Sequence, residues 1–496
     1  MGGERRIAAA LSFVVLGIVA APLAATQVKT FRAQSQQAFL AGTLKGVSLD
    51  ALGRMELSSR AERVASVGEP FLLAAANHPD GWVVGTGNAG KVLLIDRQGK
   101  VSELFAAPEP EVFALWVDPD GTVFAGTSPR GKVYRIPRKG AKAGAAEVFF
   151  DPGETYIWSL ARAADGALLV ATGTQGKLFR VEGKGKGKVL YDSDDTHLRA
   201  LLALPGGGLL LGTAGEGLIL ELARDGTVRT LYDAQQPEVV ALAAAPDGTR
   251  YAAVVASEAS LLDLAKPPGA PPVPAAPGAR KPRAAAAAEP TVTVTVEGEP
   301  PPAPGAAKAV AGPRSEVLRI SPSGVVEKLW SFNDETVYSL LWQDGSLWVG
   351  TGVEGKLYRY EGSQMLLEKD LDERQIVALL PGKPGPAFAT TNASALYRVT
   401  AGRERQGTYT SAPIDAGQMA RFGSFRWRGE VPPGSAVRFS FRSGVSAEPD
   451  HTWSVWTAPR EGEELPLAGV PLGRYVQWRA EFSAGSAGGG EAGPRL

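Results

Sequence analysis

Apolar and polar positions along the chain fall into short strand-length runs separated by turn residues, with no sustained helical period. Segments such as Val112-Phe113-Ala114-Leu115, Ile157-Trp158-Ser159-Leu160 and Val239-Val240-Ala241-Leu242 each lead into a turn. The turns read Asp118-Pro119-Asp120-Gly121, Ala164-Asp165-Gly166 and Pro246-Asp247-Gly248, and Pro79-Asp80-Gly81 and Gln343-Asp344-Gly345 match them. Asp-Gly between apolar runs predicts a β-hairpin, because the turn needs a positive φ. A second strand then ends at Gly-Thr, and a Gly-Lys pair opens a third: Gly85-Thr86 to Gly90-Lys91, Gly126-Thr127 to Gly131-Lys132, Ala171-Thr172 to Gly176-Lys177, and Gly350-Thr351 to Gly355-Lys356. Gly212-Thr213 reaches Gly217-Leu218 without the lysine. Runs such as Glu147-Val148-Phe149-Phe150 supply a fourth strand.

The first four copies are spaced by roughly 41–45 residues, a period that marks a β-propeller of stacked four-stranded blades. Blades are predicted to begin near Phe71, Glu111, Tyr156, His197, Glu238, Thr336 and Gln375, which makes seven. The last has no clear fourth strand of its own, and the strand-like segment Gly53 to Ser66 is expected to close the ring by joining it. Blade 5 is interrupted by a Pro/Ala-rich stretch, 265–313, of a composition that cannot offset its ordering entropy and is expected to be disordered. The fold class predicted is all-β: a seven-bladed β-propeller over 40–404, then a small β-sandwich over 405–484 with period-two strands such as Ala436-Val437-Arg438-Phe439. The Gly/Ala-rich tail, 485–496, is expected to be unstructured.

Composition narrows the chemistry. The 496 residues carry 52 basic and 52 acidic side chains, so charge gives no case for nucleic acid or an anionic membrane surface. Cysteine is absent, which excludes disulfides, thiolate metal sites and a lipoprotein anchor. Three histidines leave little for multi-imidazole chemistry. Arg5-Arg6, an apolar run from Ile7 to Leu23 and small Ala24-Ala25 have the layout of an export signal over 1–25, cleaved or kept as an anchor. The expected location is extracytoplasmic, with membrane contact only through that segment if it is retained.

Leu347-Trp348-Val349-Gly350-Thr351-Gly352 resembles the blade signature of two-component-regulator propellers. Over most of its length the chain resembles exported bacterial seven-bladed propeller proteins with a C-terminal jelly-roll module. The likeness rests on Glu154-Thr155-Tyr156-Ile157-Trp158-Ser159-Leu160, on Arg442-Ser443-Gly444 with Pro449-Asp450-His451-Thr452-Trp453-Ser454, and on Arg474-Tyr475-Val476-Gln477-Trp478-Arg479. That resemblance implies a fold and export, and brings no assigned activity with it. The C-terminal motif is also similar to carbohydrate-binding jelly rolls.

Aligned on their Asp-Gly turns, the blade-opening residues converge at one mouth of the central channel, and Glu111, Tyr156, His197, Glu238 and Gln375 are polar or amphipathic. Arg199 falls in a column that is apolar in most other blades, at Phe113, Trp158, Val240, Tyr338 and Val377. A buried cation needs a partner, and Glu238 or Glu111 is the expected one. These side chains form a candidate ligand or peptide site; a water-filled channel would present the same ring. The Gly-Lys phrase is not a phosphate loop, since Val92, Val133, Leu178 and Leu357 stand where Mg²⁺ chemistry needs Ser or Thr. Its lysine is expected to be a solvated edge charge. In the sandwich, Trp453, Trp456 and Arg442 are a candidate sugar platform, with the odd spacing of the two tryptophans expected to send them to opposite faces. No catalytic set, cofactor or metal site is expected; a metal-dependent hydrolase or lactonase at the channel, its metal held by Glu111 and Glu238, is the weakest alternative. The function expected is non-catalytic binding of a protein or peptide by the propeller at the cell envelope, or of a glycan by the C-terminal domain.

Overall fold

The computed structural model of the chain describes residues 28–139, 142–256, 312–485 and 493–496. The expected export segment lies outside the described residues, as does the expected insertion apart from its last two positions.

Inner strands begin at the residues that the turn alignment picks out. Glu111–Val117, Tyr156–Arg162, His197–Ala203, Glu238–Ala244, Thr336–Gln343 and Gln375–Leu380 open blades 2 to 7, and Leu72–His78 opens blade 1 one residue after Phe71. Each packs on the inner strands before and after it, and the strand of blade 7 returns to that of blade 1, which closes the ring. The second strands, such as Gly81–Thr86 and Leu168–Gly173, are buried at every residue because neighbouring blades cover both faces. In blade 5, Arg250–Val255 pairs with Ser315–Ile320 in continuous register from Arg250↔Ile320 to Val255↔Ser315, so the two sides of the 257–311 stretch meet as one hairpin. Blade 7 takes its fourth strand from the N-terminal side: Ser59–Ser66 runs antiparallel to Ala395–Arg403, pairing Ser66 with Ala395 and Ser59 with Arg403.

The Gly-Thr…Gly-Lys phrase has two structural jobs. Within a blade, the Thr hydroxyl accepts from the backbone N–H five residues on, at 2.8–3.3 Å from Thr86, Thr127, Thr172, Thr213, Thr351 and Thr390. That bond closes the loop between second and third strands. Between blades, the glycines make room for the next unit. A Cβ on Gly350 would strike Ile376 of the following inner strand, and one on Gly355 (φ +64°) would overlap the Glu373 carbonyl in the following entry loop.

The lysine is not the solvated charge the sequence suggested. In the four blades that carry it, the lysine reaches an acid just before the inner strand of the same blade: Lys91 Nζ to Glu69 at 2.8 Å, Lys132 to Glu109 at 3.6 Å, Lys177 to Glu154 at 3.9 Å, and Lys356 to Glu335 at 3.0 Å. Blade 7 lacks the lysine, and its closing strand supplies the cation instead, with Arg63 Nη2 2.6 Å from Glu373. Blade 4 has Leu218 in place of the lysine, and its entry acid Asp195 accepts from the Glu216 amide at 3.0 Å; in blade 5, Gln236 takes the acid's place. These pairs tie loop to strand at every turn of the ring where they occur.

The sandwich centres on Gly473–Ser483, flanked by Gln406–Thr410 and Ile414–Ala420 on one side and Ala436–Gly444 on the other. Ser424–Arg426 and Glu464–Pro466 form a second, two-stranded layer. Phe425, Phe439, Phe441 and Trp478 fill the space between, with ring centroids 4.9–6.2 Å apart. The short helix Gln36–Leu40, which no sequence pattern announced, sets Phe39 edge-on to Tyr409 and Trp478.

From there the N-terminal segment stitches both domains. Thr43–Lys45 joins the sandwich sheet beside Thr408–Thr410. Val47–Leu49 and Met55–Leu57 extend blade 6 through Leu49↔Leu367. Gln36 Nε2 donates to the carbonyls of Leu49 (3.0 Å) and Met365 (2.8 Å). The last four residues, in a tail expected to be unstructured, are also used. Leu496 exchanges backbone hydrogen bonds with Met55, and Arg495 with Glu430. Local composition could not reveal this, because the strand exists only through its partners.

Asp370 accepts from the Leu44 amide at 3.3 Å where this segment meets blade 6, and burial pushes its carboxyl pKa up to about 6 against the pull of Lys356. The folded state therefore holds this proton more tightly than the unfolded chain does. The penalty is full above about pH 6 and vanishes below the ordinary value of about 4, worth roughly 2–3 kcal/mol. Asp370→Asn is expected to raise the melting temperature at pH 7 and leave it unchanged at pH 4, measured by scanning calorimetry.

Candidate binding site at the channel mouth

Blades 2 to 4 send an aromatic cluster to the mouth. Tyr156 stacks on Trp158 with centroids 4.6 Å apart and planes 7° from parallel, and Phe113 packs against both. These are alternate residues of one inner strand and its neighbour, so they share a face. Trp158 Nε1–H donates to His197 Nδ1 at 3.0 Å, which fixes the neutral tautomer of that ring. Gly173 lies against this bond, where a Cβ would overlap both rings. Burial, with the Arg199 charge adding to it, depresses the His197 pKa to about 4.

Arg199 is 7% exposed, and its guanidinium carbon sits 4.1 Å from the Trp158 ring centroid. Burial lowers its pKa, while the Glu238 charge, followed by Tyr338, opposes that shift. Of the two carboxylates expected to pair with it, Glu238 is the one whose field it feels. Glu111 stands at the head of its own strand opposite Ser128, and burial pushes its carboxyl pKa up. Gln375 bridges blade 6 at Gly352 and is 6% exposed. The Arg199 Nε and Gln375 Oε1 atoms are buried and make no hydrogen bond to another described residue.

Tyr156, His197 and Arg199 thus meet through Trp158, and Glu238 joins them electrostatically. Glu111 and Gln375 belong to the ring without a side-chain bond to that cluster. Sequence alignment placed Trp158 and Phe113 in a packing column and missed that they organise the polar residues. The signal was there in the alternation of Tyr156 with Trp158. Among the described residues, no three His, Asp or Glu side chains converge as a metal centre would require.

Two further features lie elsewhere. A cleft of about 580 Å³ opens at the far ends of blades 4 and 5, lined by Leu204, Arg224, Ala245 and the Glu221–Arg250 ion pair. In the sandwich, Trp453 and Trp456 do not face opposite ways. Arg442 Cζ lies 5.3 Å from the Trp453 centroid and 4.6 Å from that of Trp456, and Arg479 Cζ lies 4.2 Å from Trp456. The segment bearing both tryptophans is irregular, so strand alternation does not govern it.

No family model and no curated protein matches the chain. Solved structures do. A streptogramin B lyase aligns with a TM-score of 0.50 at 12% identity, covering 69% of this chain and 98% of that one. Virginiamycin B lyase from Staphylococcus aureus with quinupristin gives the same score and identity over 68% and 98%. The WD40 repeats of RRP9 align with a TM-score of 0.46 at 9% identity over 69% and 98%. At such identities the likeness concerns the propeller fold alone.

Proposed function

We propose that the chain is an extracytoplasmic binding protein whose propeller takes a protein or peptide partner at the channel mouth. The observation that carries this reading is Arg199: a nearly fully buried cation, held by an aromatic face and the Glu238 charge, with Nε lacking a hydrogen-bond partner among the described residues. Across the ring, Gln375 Oε1 offers an acceptor in the same condition. A peptide bond supplies an acceptor for the first and a donor for the second, and the Phe113–Tyr156–Trp158 cluster supplies an apolar wall for a side chain. Export rests on the Arg5-Arg6 start and the apolar run that follows it.

A peptide library screened on the purified protein tests this. Selected peptides are expected to lose roughly tenfold or more in affinity on Arg199→Lys and on Tyr156→Phe, measured at a temperature where melting curves show each variant folded. Peptides that bind all three proteins alike would place the site elsewhere.

The Arg442–Trp453–Trp456 arrangement favours a second reading, a glycan-binding role for the C-terminal domain, because a half-buried indole, that of Trp456, beside a fixed hydrogen-bond donor is what a sugar ring requires.

A further inference from the structure

Two guanidiniums share one indole in the sandwich, and neither is neutralised. Arg426, Arg438 and Arg474, on the same domain, each reach a carboxylate at 2.8–2.9 Å. Arg442 and Arg479 reach none among the described residues. Arg442 Nε donates to Gln477 Oε1 at 2.8 Å, and Gln477 Nε2 is anchored in turn on the Ser411 carbonyl at 2.6 Å. This orients the Arg442 fork and leaves its terminal nitrogens without a described acceptor. The Arg479 side chain makes no hydrogen bond to any described residue, and its Nε is buried.

The strands explain the pairing. Ser440↔Arg479 and Arg442↔Gln477 are consecutive same-face pairs of the Ala436–Gly444 and Gly473–Ser483 ladder, so the two arginines are diagonal neighbours on the sheet. Trp456 lies against both. Burial and the Arg479 charge each lower the pKa of Arg442, as expected for like charges held close without a counter-ion.

Resting on the glycan reading above, we propose that this site binds the carboxylate of an acidic sugar, a uronate of an anionic polysaccharide. Two guanidinium forks match a planar carboxylate with bidentate geometry. The half-buried Trp456 borders both forks, so a carboxylate carried on a pyranose ring brings that ring against indole, an apolar contact that one on a flexible acidic peptide does not make. A neutral overall charge gives no long-range pull on a polyanion, so recognition is local and depends on these groups.

Calorimetric titration of the full chain tests this with oligogalacturonate, its fully methyl-esterified form and poly-glutamate. The acid form is expected to bind at least tenfold more tightly than the ester, with affinity falling as salt rises. Arg442→Lys and Arg479→Lys are each expected to weaken it severalfold, while a melting curve reports folding. The comparison of acid with ester needs no variant, so it stands if the substitutions unfold the domain. Equal binding of acid and ester would overturn the uronate assignment and leave the glycan reading intact. Binding of neither would overturn both. Poly-glutamate binding as tightly as oligogalacturonate would overturn the assignment in favour of an acidic peptide.

Discussion

Gly355→Ala is expected to cost the protein at least about 3 kcal/mol, against about 1 kcal/mol for Gly345→Ala. Both glycines have positive φ, +64° and +81°, so both substitutions carry the same backbone strain. They differ in space. A Cβ at Gly345 meets nothing within 4 Å, whereas one at Gly355 overlaps the Glu373 carbonyl, which belongs to the loop entering the next blade. That loop holds the Glu373 carboxylate against Tyr397 OH and Arg63 of the closing strand, so it cannot retreat without disturbing the ring closure. Calorimetry of the two variants beside the parent reads the difference. Equal losses would show that the inter-blade contact contributes nothing and that strain alone acts.

Acid is expected to loosen the channel mouth through His197. Its pKa is about 4 in the folded protein against an ordinary 6.5, so between these values the unfolded chain binds the proton that the folded one excludes. The contribution is fully present above about pH 6.5 and is lost as pH falls to about 4, worth about 3 kcal/mol. Burial raises the carboxyl pKa values of Glu111 and Asp195 nearby in the ring, and these act in the opposite direction. The comparison is therefore with His197→Gln, which removes the titration and keeps an acceptor for Trp158. The stability difference between parent and variant is expected to shrink as pH drops from 7 to 4, followed by denaturant unfolding at each pH. A difference that stays constant would mean that His197 does not exclude its proton.

Much of the ring was legible because its units repeat a turn grammar that physics makes strict: Asp-Gly for the hairpin, Thr for the loop closure and Gly where blades touch. Closure by the strand ending at Ser66 could be read from a blade that lacked a strand and a strand that lacked a blade. The acids that pair with the lysines were not legible. Glu69, Glu109 and Glu154 precede inner strands in segments of differing sequence, and an isolated acid there reads as solvated. The helix at Gln36–Leu40 and the last residue's bond to Met55 escaped for another reason. Elements this short have no stability of their own and are specified by what they dock on. At the mouth, polar strand heads were visible, while the aromatic pair that joins them read as core. In the sandwich, Trp456 lies beside both Arg442 and Arg479, the two arginines whose strand pattern puts them on one face.

The segment from Gln36 to Ser66 finds its partners almost entirely in the last third of the chain: Met365, Leu367, Ala395 to Arg403, Thr408 to Thr410 and Leu496. It is the first described stretch to leave the ribosome and among the last able to settle. Until the final residues exist, its strands have unpaired edges and its apolar side chains have no core. The loop-closure entropy is met late, so assembly is expected to be slow and its last step to be one cooperative event. During that interval the nascent chain carries exposed strand edges at its N-terminal end, the condition under which chaperone capture competes with folding.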